Sequence, residues 1–219
     1  MARRRRRRHV DVPADARPRP LWRGVRIARG TLLFVSLLYV TVYIPLTLMI
    51  YLEPWYFANC HWHPRCERLG MENVEVAVQE LTRFFRHQGE LVTRWTPKEQ
   101  FHLLEVRNIY DGMFLALFPA LALLIWAFDR RLVRRFAWAN IAIVCTCVVV
   151  LPFFRDFWNE VFHPLLFDNE LWRTDPRDIS WYVTPRVFFL HSTIALIIVI
   201  SAINLALALG LRERKPRAE

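Results

Sequence analysis

Four stretches of this chain carry no Asp, Glu, Lys or Arg: residues 30–52, 112–128, 136–154 and 187–211. Each is about 17–25 residues long, enough at 1.5 Å per residue to cross a hydrocarbon layer about 30 Å thick. Backbone groups inside lipid must bond within their own segment, so the pattern predicts four transmembrane helices rather than strands. The predicted fold class is an all-α membrane protein: a four-transmembrane-helix bundle, with the long segments 53–111 and 155–186 forming a cap at one face. Residues 1–29 and 212–219 flank this 30–211 domain as tails, the first of them disordered.

Between the spans the pattern changes. Val74, Val78, Leu81 and Phe85 recur every three or four positions, which predicts an amphipathic helix over 73–86. Thr96-Pro97-Lys98-Glu99 is a helix start, with Thr96 as N-cap, Pro97 in the first helical position and Glu99 in the third. That helix should run through His102 into the second span. Pro45 should kink the first span near its end. Tyr51, Trp55, Tyr56 and Phe57 follow as an interfacial aromatic belt, and Trp126 and Trp138 bracket the short 129–135 loop in the same way. Segment 155–186 is dense in aromatics and is expected to lie against the bilayer.

Composition alone is unusual for a soluble domain: 54% hydrophobic residues stand beside a formal net charge of +10. Segregation resolves the conflict. Residues 1–29 carry 11 Arg against 2 Asp, and segments 129–135 and 212–219 are also basic, at +3 and +2. Segments 53–111 and 155–186 are each −2. Lys and Arg remain on the cytoplasmic side, so both termini are expected inside and the two acidic segments outside. The Arg tract at 3–8 is read as a tail touching anionic headgroups, not as a nucleic-acid binder. The first span is too long for a cleaved signal and is expected to remain as an anchor.

The candidate chemistry gathers in the outer segments. Cys60 and Cys66, six apart on the oxidising side, predict a loop disulfide. A metal site from Cys60, His61, His63 and Cys66 is the alternative. His9 lies in the Arg tail, His87 is expected exposed, and His191 sits near the outer end of the fourth span, where an ionisable group is a site candidate. Cys145 and Cys147 read as small packing residues. The chain has four serines, and none lies in a Gly-x-Ser-x-Gly turn, which excludes a serine-hydrolase elbow. His102 and His163 differ from the other histidines because each closes a Glu-x-x-His. Residues three apart share a helix face, so Glu99 and Glu160 are expected to orient their His. The tight 129–135 loop makes the second and third spans antiparallel neighbours, which should bring the two His together. Paired Glu-x-x-His also occurs in di-metal carboxylate bundles. Spans one and four supply no further carboxylate here, although Glu53, Glu105 or Asp175 could substitute. No metal or other cofactor is expected. A non-enzymatic or metal-binding membrane protein remains the alternative.

Thr96-x-x-Glu99-x-x-His102-x-x-Glu105-Val106-Arg107 resembles the E-x-x-H-x-x-D-V-K segment of the lipoprotein intramolecular transacylase (Lit) family. Residues 162–176, from Phe162-His163 through Asn169 and Trp172 to Asp175-Pro176, resemble its F-H-x-x-F-F-x-N-x-x-W-x-x-D-P signature. Glu105 and Arg107 replace an Asp and a Lys, keeping the charge and changing the reach. The resemblance extends over about 28–212 and implies a multi-pass protein of the bacterial inner membrane with its active site outside. It implies an acyltransferase that moves the sn-2 acyl chain of a diacylglyceryl-Cys lipoprotein to that Cys's own α-amine, with membrane lipid as its other partner. His102 and His163 become the acid–base pair. Asn169 and Arg107 become candidates for the oxyanion, Asp175 for orienting a His, Trp172 for packing on acyl chain or glyceryl, and Glu99 and Glu105 for support.

Overall fold

The computed structural model describes residues 20–211. Of the tail expected to be disordered over 1–29, residues 1–19, His9 among them, lie outside the described residues, as does the 212–219 tail, whereas residues 20–29 are helical and form the start of the first helix. Everything regular within the described residues is helical. Helix α1 is Pro20–Tyr51, and α2 (Glu53–Cys60), α3 (Arg65–Leu69) and α4 (Met71–Phe85) follow it. Next come α5 (Pro97–Trp126) and α6 (Arg130–Thr146), the latter passing into a 3₁₀ segment, Cys147–Phe153. A short α7 (Phe154–Asp156), a π-helical turn (Phe157–Phe162) and α8 (His163–Leu166) follow. Then α9 (Ser180–Val183) leads into α10 (Arg186–Gly210).

Among the described residues four helical stretches are long and apolar enough to cross a membrane, and they hold the four charge-free runs except for the last one or two residues of three of them. α1 continues as helix through Pro45. The first fifteen residues of α5 hold Lys98, Glu99, Glu105, Arg107 and Asp111, so only its part from Gly112 onward is free of charge.

The expected pairing of spans two and three does not hold. α5 packs along α1, while α6 packs along α10 and α1. Arg29 Nη2 donates to Ala127 O at 3.3 Å, and the Tyr39 hydroxyl donates to Met113 O. α1 and α5 are therefore antiparallel, with α1 inserted between α5 and α6. The reason lies in the α6–α10 seam, where Asn140 Nδ2 donates to Asn204 Oδ1 at 3.2 Å and both side chains are fully buried. A hydrogen bond between amides of two helices inside lipid favours their association over contact with an apolar neighbour, which favours pairing of α6 with α10.

A second core lies beyond the ends of α1 and α5. Val74, Val78, Leu81 and Phe85 of α4 are buried against Tyr56, Trp95, Ile179, Val183 and Phe188, as the amphipathic spacing predicts. The Cys60–Cys66 disulfide is formed. Beside it, Arg65 lies over the Trp181 ring at 3.8 Å and donates to Trp181 O at 3.0 Å. This cap holds the two segments that carry His102 and His163.

Candidate active site

Thr96 caps α5 through the expected capping box with Glu99, and His102 stands in the second turn. Its neighbour comes from the far side of the chain. Pro152 interrupts the helix continuing from α6, and the π-helical turn that follows closes i to i+5 instead of i to i+4. The turn delivers His163 to the face of α5, where its ring centroid lies 6.2 Å from that of His102. The rings thus meet although their spans do not pack together.

His163 is 4% exposed and is held on three sides. Trp172 stacks on it at 4.1 Å, Trp158 meets it edge-on at 4.6 Å, and Phe162 does so at 5.3 Å. Phe167 sits 4.7 Å from His102 and 5.8 Å from His163, closing the space between them. The Nδ1 of His163 is 2.7 Å from Trp158 O. A carbonyl only accepts, so Nδ1 bears the proton, and in the neutral ring the Nε2 lone pair is free.

His102 is supported differently. Its Nδ1 faces Glu105 Oε2 at 3.6 Å, beyond hydrogen-bond range. Both atoms are buried without another hydrogen-bond partner. The other Glu105 oxygen accepts from Asn169 Nδ2 at 2.8 Å, and Asn169 Oδ1 accepts from Leu171 N at 3.0 Å. Asn169 is therefore engaged in aiming Glu105 at His102.

The sequence expectation for the Glu-x-x-His pairs is corrected on both counts. Glu99 is 2% exposed and faces the cap: it accepts from Thr96 N and from Ser180 N and Oγ. Glu160 is exposed, because a π turn takes more residues per revolution and moves position i+3 off the face of position i. Two other supports are also placed elsewhere. The Arg107 guanidinium lies 4.1 Å over Phe84 and donates to Phe84 O at 3.3 Å, away from the oxyanion role expected of it. Asp175 pairs with Arg177 at 3.1 Å instead of orienting a His, and that guanidinium holds its carboxyl down to about 2. Among the described residues no three His, Cys, Asp or Glu side chains gather as metal ligands.

Sequence reasoning missed Trp158, Phe167 and the Asp178–Ser180 segment. Asp178 is buried, its Oδ2 takes Lys98 Nζ at 2.6 Å and Asp175 N at 2.8 Å, and its Oδ1 lies 3.0 Å from Thr96 Oγ1. With Glu99 and Ser180 this network ties the 168–183 loop to the start of α5. No periodicity could have announced it.

His102 and His163 both lie outside the charge-free spans. Burial pushes His102 below the ordinary imidazole range, to about 4. Burial does the same to His163, also to about 4, helped by the neighbouring His102 and opposed by the Trp158 carbonyl. Both rings are therefore neutral at pH 7. The unfolded chain takes up these protons near pH ~6.5 and the folded one near pH 4, so the pair destabilises the fold as pH drops through that window. Nitrogen-15 spectra of the histidine-labelled protein should show both rings neutral at pH 5.5. A ring titrating near pH 6.5 would contradict this environment.

Two open cavities, of about 700 and 680 Å³, lie away from this pair and contain neither His. The His pair lies instead among the rings of Trp158, Phe162, Phe167 and Trp172.

The family model for the lipoprotein intramolecular transacylase Lit matches residues 31–189. The solved membrane-integral Lit of Bacillus cereus aligns over 86% of this chain and 96% of its own, with a TM-score of 0.75 at 14% identity. Two variants of that protein align comparably, both at 14% identity. One, with a His replaced by Ala, has a TM-score of 0.72 over 88% of this chain and 94% of its own. The other, with a His replaced by Arg, has 0.73 over 88% and 92%. At that identity the likeness is one of fold. No curated protein matches the chain.

Proposed function

Because the chain belongs to the lipoprotein intramolecular transacylase family, a family of acyltransferases, we propose that it moves the sn-2 acyl chain of a diacylglyceryl-Cys lipoprotein onto the α-amine of the same Cys. His102 and His163 act as the acid–base pair. The observation that carries this reading is the convergence of two neutral imidazoles, 6.2 Å apart, in an aromatic recess on the cap. Both termini are cytoplasmic in this reading, and the pair works at the extracytoplasmic surface of the bacterial inner membrane, where such a lipoprotein is anchored.

The substrate ammonium must lose two protons and the departing glyceryl oxygen must gain one. His102 takes the first proton and becomes an imidazolium, compensated by the Glu105 carboxylate facing its Nδ1 at 3.6 Å. The free amine then attacks the sn-2 carbonyl carbon, and the new C–N bond forms. His163 Nε2 accepts the second proton, because its Nδ1–H is committed to Trp158 O. The C–O bond breaks as His102 returns its proton to the sn-2 oxygen, and His163 releases its proton to water. One hydrogen stays on the amide nitrogen, so the protons balance and no acyl-enzyme is needed. Acid–base help is worth about 10²–10⁴-fold. Holding amine and ester in one molecule against the recess can supply roughly 7–11 kcal/mol more. Trp172, stacked on His163, fixes that ring and offers its edge to the glyceryl.

The intramolecular step is tested by mixing two diacylglyceryl lipopeptides that differ in both peptide and acyl mass. The reconstituted protein should give N-acyl products in which each peptide keeps its own acyl chains. Crossed products at the statistical ratio would refute intramolecular transfer.

A further inference from the structure

The end of the bundle remote from the His pair holds a groove that acyl transfer does not use. It lies between the start of α1 and the start of α6, with a volume of about 700 Å³. Arg26, Arg29, Arg131 and Arg135 line it, over a floor that includes Phe34 and Phe136. Those two rings meet edge to face at 5.4 Å. Among the described residues that line it, Asp129 is acidic, and its carboxylate caps α6, accepting from Arg131 N at 2.9 Å and Leu132 N at 3.0 Å. Arg29 is held in place by its bond to Ala127 O at the end of α5.

Position and chemistry together restrict the occupant. Ala127 lies about 37 Å along the helix axis from His102, at 1.5 Å per residue, so the groove opens at the opposite membrane face. Trp126 and Trp138, both exposed, flank it at the level where aromatic anchors sit. Guanidinium groups match phosphate oxygens geometrically and stay charged at any relevant pH. An aromatic floor continuous with the charge-free spans matches acyl chain, which a free phosphate does not have. We propose that this groove binds an anionic phospholipid of that leaflet, with the headgroup phosphate among the four arginines and the upper acyl chain on Phe34 and Phe136. A zwitterionic headgroup would bring its ammonium against the same guanidinium groups and is disfavoured. The inference is independent of what the His pair does.

Native mass spectrometry of the full chain, released from micelles doped with equal phosphatidylglycerol and phosphatidylcholine, reads retention directly. The wild type should retain phosphatidylglycerol. Combined Arg26→Gln, Arg131→Gln and Arg135→Gln should reduce that retention on the order of a hundredfold, from the usual value of a basic residue near an anionic surface. Arg29 is left in place because it braces α5. A matched variant with Arg3→Gln, Arg4→Gln and Arg5→Gln removes the same charge from the tail and should retain the lipid as the wild type does. Should the triple groove variant fail to fold, Arg135→Gln alone should still weaken retention roughly fivefold. Equal retention of the two lipids by the wild type would overturn the proposal. So would equal loss in the groove and tail variants, which would mark a diffuse attraction to net charge.

Discussion

His163→Ala and His102→Ala should each lower kcat by about 10²–10⁴-fold, the range for removing a positioned acid or base, with far less change in KM. The weight of this prediction falls on His163, because it is buried and braced by aromatic rings, so its loss could be confused with collapse of the recess. His163→Asn separates the two effects. Its side-chain N–H reaches the place of Nδ1 and can still donate to Trp158 O, while nothing replaces the Nε2 lone pair. The Asn variant should therefore melt close to the wild type and be as inactive as the Ala variant. An active His163→Asn protein would remove His163 from the chemistry and leave it a packing residue. For His102, Glu105→Gln supplies the corresponding check. It keeps the shape but not the charge that compensates a protonated His102, and it should lower kcat without altering substrate binding.

Glu99→Ala should have the largest effect on stability. This carboxylate is 2% exposed and is bonded by the Thr96 amide at 2.9 Å and by the Ser180 amide and hydroxyl, each at 2.7 Å. Truncation leaves those donors buried without an acceptor. A hydrogen bond to a charged group contributes about 1.5–3 kcal/mol and the losses are not additive, so a cost of about 3 kcal/mol is expected. For a chain of this size that corresponds to roughly 6–12 °C in Tm. Glu99→Gln should recover only part of the loss, since its amide nitrogen would face donors. Because the network anchors the loop that stacks Trp172 on His163, activity should fall with stability. A Glu99→Ala protein melting within about 2 °C of the wild type would show that the cap is held by its apolar core alone.

What the chain discloses before folding, and what it hides, follows from the range of each interaction. The spans are legible because charge is costly in hydrocarbon wherever the helices end up. α4 and the start of α5 are legible because Val74, Val78, Leu81 and Phe85, and the Thr96–Glu99 capping box, encode their structure within a few residues. His102 and His163 were legible as a pair from their motifs, and the structure does bring the rings together. Their supports were legible in part: Glu105, Asn169 and Trp172 lie at the pair, and Glu99, Glu160, Arg107 and Asp175 are engaged elsewhere. Glu160 was assigned to His163 on α-helical spacing, and a π turn after Pro152 cancelled that spacing. Glu99 sits at the correct distance from His102 along the helix, but it is claimed by Ser180, 81 residues away. Arg107 was expected at the reacting centre and instead lies on Phe84. The neighbour relation of α5 and α6 failed in the same way, because the Asn140–Asn204 pair joins residues 64 apart. Local signals predicted local structure, and the errors over Glu99, Arg107 and the α5–α6 pairing came from partners in other parts of the chain.

The central claim is that the His pair transfers an acyl chain from glyceryl oxygen to the α-amine. It is tested most directly in a bacterium lacking the activity, by fragmenting the N-terminal peptide of an abundant lipoprotein. With the wild-type gene, the peptide should keep the total acyl mass of the diacylglyceryl form but fragment as an N-acyl Cys carrying a monoacylglyceryl thioether, and with His163→Asn it should not. A peptide that still fragments as the diacylglyceryl form, with the wild-type protein present in the membrane, would contradict the account.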